Sequence, residues 1–119
     1  VEYNSRFGPE RRVTVPYNPG FRRVEAHPST AYYGASLSAL VSLGRRKGYA
    51  FVGSNSAGNN AFFVERSRLP ESIRELTVAE GYVRRAFRET RDSSGRLTHP
   101  TPEEEERLVQ SLPLEEVPA

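Results

Sequence analysis

The sequence predicts an α/β fold: a strand end, a long loop, a helix and an antiparallel β-hairpin, followed by two further helices. Three observations carry this. Residues 35–47 have a clean helical period. Two β-rich runs flank a stretch made only of small and turn-forming residues. The 119-residue length suits one domain and is too short for two.

The first four residues, Val1-Glu2-Tyr3-Asn4, read as the end of a strand that begins upstream. In residues 5–33, Pro9, Pro16, Pro19 and Pro28 interrupt any regular period, apart from a short alternating piece over 12–17. So long a loop inside a domain usually carries function, and Phe7, Tyr17, Phe21, Tyr32 and Tyr33 predict that it packs down.

In the helix that follows, Leu37, Leu40, Val41 and Gly44 fall at i, i+3, i+4 and i+7. Arg45, Arg46 and Lys47 sit at its negative end, and Gly48 suits the left-handed closing position. Tyr49–Gly53 and Ala61–Glu65 are the hairpin strands, joined by the seven residues 54–60. Both strands are apolar on both faces, which predicts cover on both sides. Val78 to Arg91 reads as a helix with a basic face of Arg84, Arg85, Arg88 and Arg91, and with Glu80 pairing with Arg84. Asp92-Ser-Ser-Gly95 stops it. Thr101-Pro102 followed by four glutamates opens a last helix to about Leu112, where the carboxylates suit the positive end of the dipole.

Composition narrows the function classes. There are 17 basic and 15 acidic residues, for a net charge of +2, and no cysteine, so thiol nucleophiles, disulfides and zinc–thiolate sites are excluded. No apolar run approaches membrane-spanning length and no basic-then-apolar leader is present, so the expectation is a cytoplasmic chain away from membranes. All but one of the basic residues are arginine, scattered in ones and twos without interleaved aromatics, which makes nucleic acid a minor reading. His27 and His99 lack a helix-spaced second ligand, so no metal site is expected. Ser54-Asn55-Ser56-Ala57-Gly58 lacks the first glycine of a nucleophile elbow and leads into a strand rather than a helix.

The order of elements matches the closing half of an open α/β sheet, and a seven-stranded methyltransferase sheet ends this way, its last strand inserted antiparallel. Residues 1–4, Val15-Pro-Tyr17, Tyr33-Gly-Ala-Ser-Leu-Ser-Ala-Leu40, Lys47-Gly-Tyr49 and Val52–Val64 carry a closer likeness. Over roughly residues 1–70 the chain resembles the C-terminal part of a bacterial group of S-adenosylmethionine-dependent, FkbM-related methyltransferase-like proteins. Where a cysteine is expected after Gly53, this chain has the nearly isosteric Ser54.

The resemblance implies a C-terminal, Rossmann-like methyltransferase sheet in a single unit over 1–119, a fragment or truncated relative of a larger domain. It implies S-adenosylmethionine as cofactor, held by an upstream half, because no G-x-G-x-x-G occurs here. Glu2 is the candidate base for a hydroxyl acceptor. Asn4 and Tyr33, with Asn55, Asn59 and Asn60 of the hairpin loop, are the candidate substrate-binding residues. A truncated sheet leaves an open edge, so a homo-oligomer or an N-terminal half is expected to cover it. The alternative is a non-enzymatic α+β module that dimerises or docks a partner through that edge.

Overall fold

The computed structural model describes residues 1–86 and 90–119. Its elements are a 3₁₀ turn over Ser5–Phe7, β1 (Val13–Thr14), α1 (Arg23–Ala26), α2 (Leu37–Arg46), β2 (Tyr49–Ser54), β3 (Ala61–Glu65), a 3₁₀ turn over Arg66–Arg68, α3 (Val78–Gly81), β4 (Thr90–Arg91), β5 (Leu97–Thr98), α4 (Pro102–Ser111) and β6 (Glu115–Glu116). It is an α/β chain with small antiparallel pairings: β1 with β6, β2 with β3, and β4 with β5.

The α2–β2–β3 unit forms as its residues dictate. Ser36 caps α2, its Oγ accepting from the Ala39 N–H at 3.1 Å, and Gly48 closes the helix at φ +85°. Ser36 is fully buried, and the same Oγ accepts from the Val13 N–H at 3.1 Å. Ser36→Ala removes the cap and orphans a buried donor. We expect it to cost about 1–2 kcal/mol in urea unfolding.

In the hairpin, Ala50 faces Val64 and Phe51 faces Phe63, and the register shifts between Phe51 and Gly53, marking a bulge at Val52. Ser54 belongs to β2, so the loop is 55–60 rather than 54–60. The Phe51 and Phe63 rings meet on one face at 5.6 Å, where Tyr3, Leu37, Val41 and Ala61 complete a buried cluster. Gly44 admits Phe63, whose Cε1 lies 3.1 Å from where a Cβ would stand. The other face is unevenly covered: Ala50 is fully buried and Val52 and Val64 are half-buried, while Phe62 is 53% exposed. The expected cover on both sides therefore holds only in part, and the fuller side is that of α2 and α3.

Residues 1–3 add to this sheet. The Val1 amino group donates to the Ala61 carbonyl, the Ala61 N–H to Val1, and the Tyr3 N–H to Asn59. Glu2 thereby bridges Asn60 in antiparallel fashion. Since β2 and β3 are antiparallel too, Val1–Tyr3 and β2 run parallel, with the line of residues 59–61 between them.

The long loop packs down only in part: Phe7 is buried and Phe21, Tyr32 and Tyr33 are half-buried, but Tyr17 is 91% exposed, so the expectation is corrected there. The packing uses a mechanism the sequence does not display. Val13 and Thr14 pair with the C-terminal Glu116 and Glu115, and Thr14 bridges Ala35 on the other side. Phe7 and Val13 bury against Val109 of α4 and Leu112, the residue that closes it, in a second apolar cluster.

The expected helix over 78–91 is corrected. It lasts one turn, Val78–Gly81, closed at its start by a reciprocal Thr77–Glu80 capping box. Two causes end it. Gly81 is a poor helix former that lies against the Phe51 ring, and the chain beyond it is claimed by tertiary bonds. The Tyr3 hydroxyl donates to the Val83 carbonyl, the Tyr82 hydroxyl to the Ser5 carbonyl, and the Arg85 N–H to Ser5 Oγ. No basic helical face forms: Arg84 and Arg85 lie in non-helical chain, Arg91 is in β4, and Arg88 falls outside the described residues. Glu80 pairs with Arg74 at 2.9 Å rather than with Arg84. No helix among the described residues is long and apolar enough to cross a membrane.

Candidate functional site

Val1–Tyr3 and β2 are parallel, so their carboxyl ends, Asn4 and Asn55, lie at the same edge of the sheet, where α/β sheets place their ligands. Asn4 is 1% exposed. Its Nδ2 donates to the Ala31 carbonyl at 2.8 Å and to the Tyr33 carbonyl at 3.1 Å, and its Oδ1 accepts from the Arg6 N–H at 3.1 Å. It thus fixes the backbone of two side chains that meet beyond it. With every polar atom engaged, Asn4 positions the site rather than touching a ligand. Asn4→Ala orphans the two carbonyls, and we expect a loss of about 1–3 kcal/mol by thermal or chemical unfolding.

Those two side chains are Arg6 and Tyr33. Arg6 Nη1 and Arg85 Nη1 each lie 3.4 Å from the Tyr33 hydroxyl oxygen, and the Arg23 guanidinium stacks 3.8 Å from the ring centroid. Arg23 is steadied by Nε donating to the Thr30 carbonyl at 2.7 Å. Thr30 itself has φ +61°, a conformation that β-branched residues rarely adopt. Opposite Tyr33, Glu105 of α4 is 1% exposed; its Oε1 accepts from Arg84 Nη2 at 2.8 Å and its Oε2 lies 3.7 Å from Arg6 Nε. Burial is the main influence on Arg6 and draws its pKa below the ordinary arginine value; the nearby Arg85 charge adds to this, while Tyr33 and Glu105 oppose it. Beside this cluster a cavity of about 310 Å³ opens between the first 3₁₀ turn and α4, lined by Arg6, Arg11, Arg84, Glu106 and Gln110 among others.

The expected site residues therefore separate. Tyr33 is at the centre of the cluster. Asn55 and Asn59 bond to each other, Asn55 Nδ2 to Asn59 Oδ1 at 2.7 Å, and Asn55 Oδ1 accepts the N–H groups of Asn59 and Asn60. That is a turn closing on itself. Glu2 is exposed, on the strand segment opposite Asn60. His27 bonds Ser29 Oγ through Nδ1 at 2.7 Å, and among the described residues no group of three or more histidines and carboxylates could hold a metal. Sequence reading missed Arg6, Arg23 and Glu105. A signal existed for one of them: Glu105, Val109 and Leu112 are spaced i, i+4, i+7, which sets a carboxylate in the apolar stripe of the last helix.

Neither a family model, nor a curated protein, nor a solved structure matches the chain.

Proposed function

We propose that residues 1–119 form the closing part of a Rossmann-like, S-adenosylmethionine-dependent methyltransferase-like domain. The supporting observation is the pairing order, in which β3 and the residues leading into it stand antiparallel to β2 on one side and to the Val1–Tyr3 segment, bridged at Glu2–Asn60, on the other. The residues in hand do not cradle the cofactor: there is no glycine-rich phosphate-type turn, and the start of α2 is occupied by its own Ser36 cap. Cofactor binding belongs to a half outside 1–119, in the same chain or in a partner. What these residues supply is a wall at the carboxyl end of the sheet, where Tyr33 and its arginines orient a polar acceptor. Glu2 is the candidate base for an acceptor hydroxyl.

Isothermal titration of S-adenosylhomocysteine tests this reading. We expect saturable binding, one per chain, by the protein as its gene encodes it, and no heat of binding with residues 1–119 alone. Absence of binding by the encoded protein sinks the reading; binding by residues 1–119 alone contradicts the assignment of the cofactor site to an outside half.

A second reading, an interaction module that pairs through the outer edge of β3, is favoured by a different observation. Val1, Leu43, Tyr49 and Phe62 are exposed apolar residues around a groove of about 480 Å³ between α2 and that edge. Light scattering after size exclusion tests this second reading: a dimer that Phe62→Lys dissociates supports the module, and a monomer removes it.

A further inference from the structure

We propose that Arg12, Arg45 and Arg46 bind the phosphoryl group of a small ligand in the cavity between α2 and the C-terminal tail. The site shares no residue with the cluster around Tyr33 and does not depend on the methyltransferase reading.

The cavity measures about 380 Å³, a size found in small-molecule sites. Ser38, Ser42, Arg45 and Arg46 line it from α2 at i, i+4, i+7 and i+8, one stripe along the side of the helix. A ligand there lies against that side and not off the carbonyl end of the helix, where an anion would be repelled. Arg12, which precedes β1, completes the charged lining, and no acidic side chain belongs to it. That convergence separates these three arginines from the others on the surface: their charges meet in one concave volume instead of spreading into solvent.

Two of the three are held by the tail in a way that keeps a bidentate edge open. Arg46 donates from Nη1 to the Pro118 carbonyl at 2.9 Å and to the Ala119 carbonyl at 3.4 Å, which leaves its Nε–Nη2 edge. Arg12 donates from Nε to the Val117 carbonyl at 3.4 Å, which leaves its Nη1–Nη2 edge. The tail is fixed in turn: the Val117 N–H donates to the Arg12 carbonyl at 2.9 Å, and Ser42 Oγ donates to the Pro118 carbonyl at 3.2 Å. Arg45 has Glu75 as its ionic neighbour, but its Nε lies 3.8 Å from Oε1, beyond hydrogen-bond reach. Both Glu75 oxygens are taken by Arg66, at 2.6 and 2.9 Å.

The guanidinium fork matches phosphoryl oxygens bidentately, and holding it in place beforehand lowers the entropy lost on binding. Three guanidiniums facing no acidic lining suit a phosphoryl dianion better than a single carboxylate. Ser38 adds a neutral hydroxyl donor, and Val41 and Val78 give the rest of the ligand an apolar wall.

The probe is inorganic phosphate, titrated at constant ionic strength against sodium chloride, with sodium acetate as a parallel arm. Arginine Nε–H resonances are the readout. We expect saturable shifts at Arg12, Arg45 and Arg46 with phosphate, and affinity at least about tenfold weaker in Arg45→Gln and in Arg46→Lys. Arg46→Lys keeps the charge and a donor for the Pro118 carbonyl while losing the fork. Arg68→Gln, at an exposed arginine outside the cavity, should change nothing. An unchanged Val117 amide resonance establishes that the tail stays docked. Arg45 does not bond the tail, so its variant decides the matter even where Arg46→Lys releases it. Phosphate shifts that stay linear and match those of chloride overturn the proposal. So does undiminished affinity in Arg45→Gln. Acetate binding as tightly as phosphate overturns the phosphoryl assignment.

Discussion

Glu105→Gln is expected to lower the unfolding free energy by about 3–5 kcal/mol, the usual loss when one partner of a buried ion pair is removed. The substitution preserves volume, so no cavity contributes. It takes away the carboxylate that faces two guanidiniums, one of which, Arg6, is itself 5% exposed and too deep to recover its hydration. The effect should be nearly independent of salt, since a buried pair is screened far less than a surface one. Exposed pairs such as Arg68–Glu65, at 3.4 Å, should give at most a fraction of that loss, and one that fades with salt. Urea midpoints for Glu105→Gln and Glu65→Gln at low and high salt make the comparison. A double variant, Arg6→Met with Glu105→Leu, should recover stability relative to Glu105→Gln, because it removes the buried charge together with its partner.

Gly58→Ala is expected to cost about 2–5 kcal/mol, combining a left-handed backbone with a steric clash. Gly58 has φ +73°, and a Cβ there would lie 2.5 Å from the Arg84 carbonyl carbon and 2.6 Å from the Arg85 nitrogen. Those are backbone atoms, so relief requires moving the 84–85 segment away from the hairpin loop. That movement draws Arg85 from Tyr33 and Arg84 from Glu105, which ties loop packing to the candidate site. Gly95→Ala is the control: it has φ +85° but nothing within 4 Å of a Cβ, so only the backbone cost applies, about 1 kcal/mol. Equal losses at the two glycines, measured by chemical unfolding, would contradict the close approach of residues 84–85.

Local chemistry made the α2–β2–β3 unit legible. The period of Leu37, Leu40 and Val41, the cap at Ser36 and the closing Gly48 all act within a few residues of one another, and Thr101-Pro102 marks α4 in the same way. Residues 82–86 were not legible. Their local pattern favours a helix, and what overrides it is bonding to Tyr3 and Ser5, nearly eighty positions earlier in the chain. The pairing of β6 with β1 is equally remote, and two glutamates give no strand signal of their own. At the candidate site, Tyr33 is legible because an aromatic residue before a helix invites attention, whereas the polarity of Asn4 suggests a ligand contact and its side chain bonds the backbone instead. The acidic run opening α4 is suited to the helix dipole as a group, but one member, Glu105, turns inward to the arginines. Only its spacing with Val109 and Leu112 distinguishes it from its solvated neighbours.

The functional reading is carried by the pairing order, so the most direct measurement is of the pairing that sets it. Glu2 and Asn60 form a non-hydrogen-bonded antiparallel pair, as do Phe51 and Phe63, with Cα atoms about 4.5 Å apart in such pairs. A two-dimensional nuclear Overhauser spectrum should therefore contain strong Hα–Hα cross-peaks for both pairs in the same folded chain. A strong Phe51–Phe63 peak without a Glu2–Asn60 peak would leave the hairpin intact, detach Val1–Tyr3 from it, and contradict the sheet on which the proposed function rests.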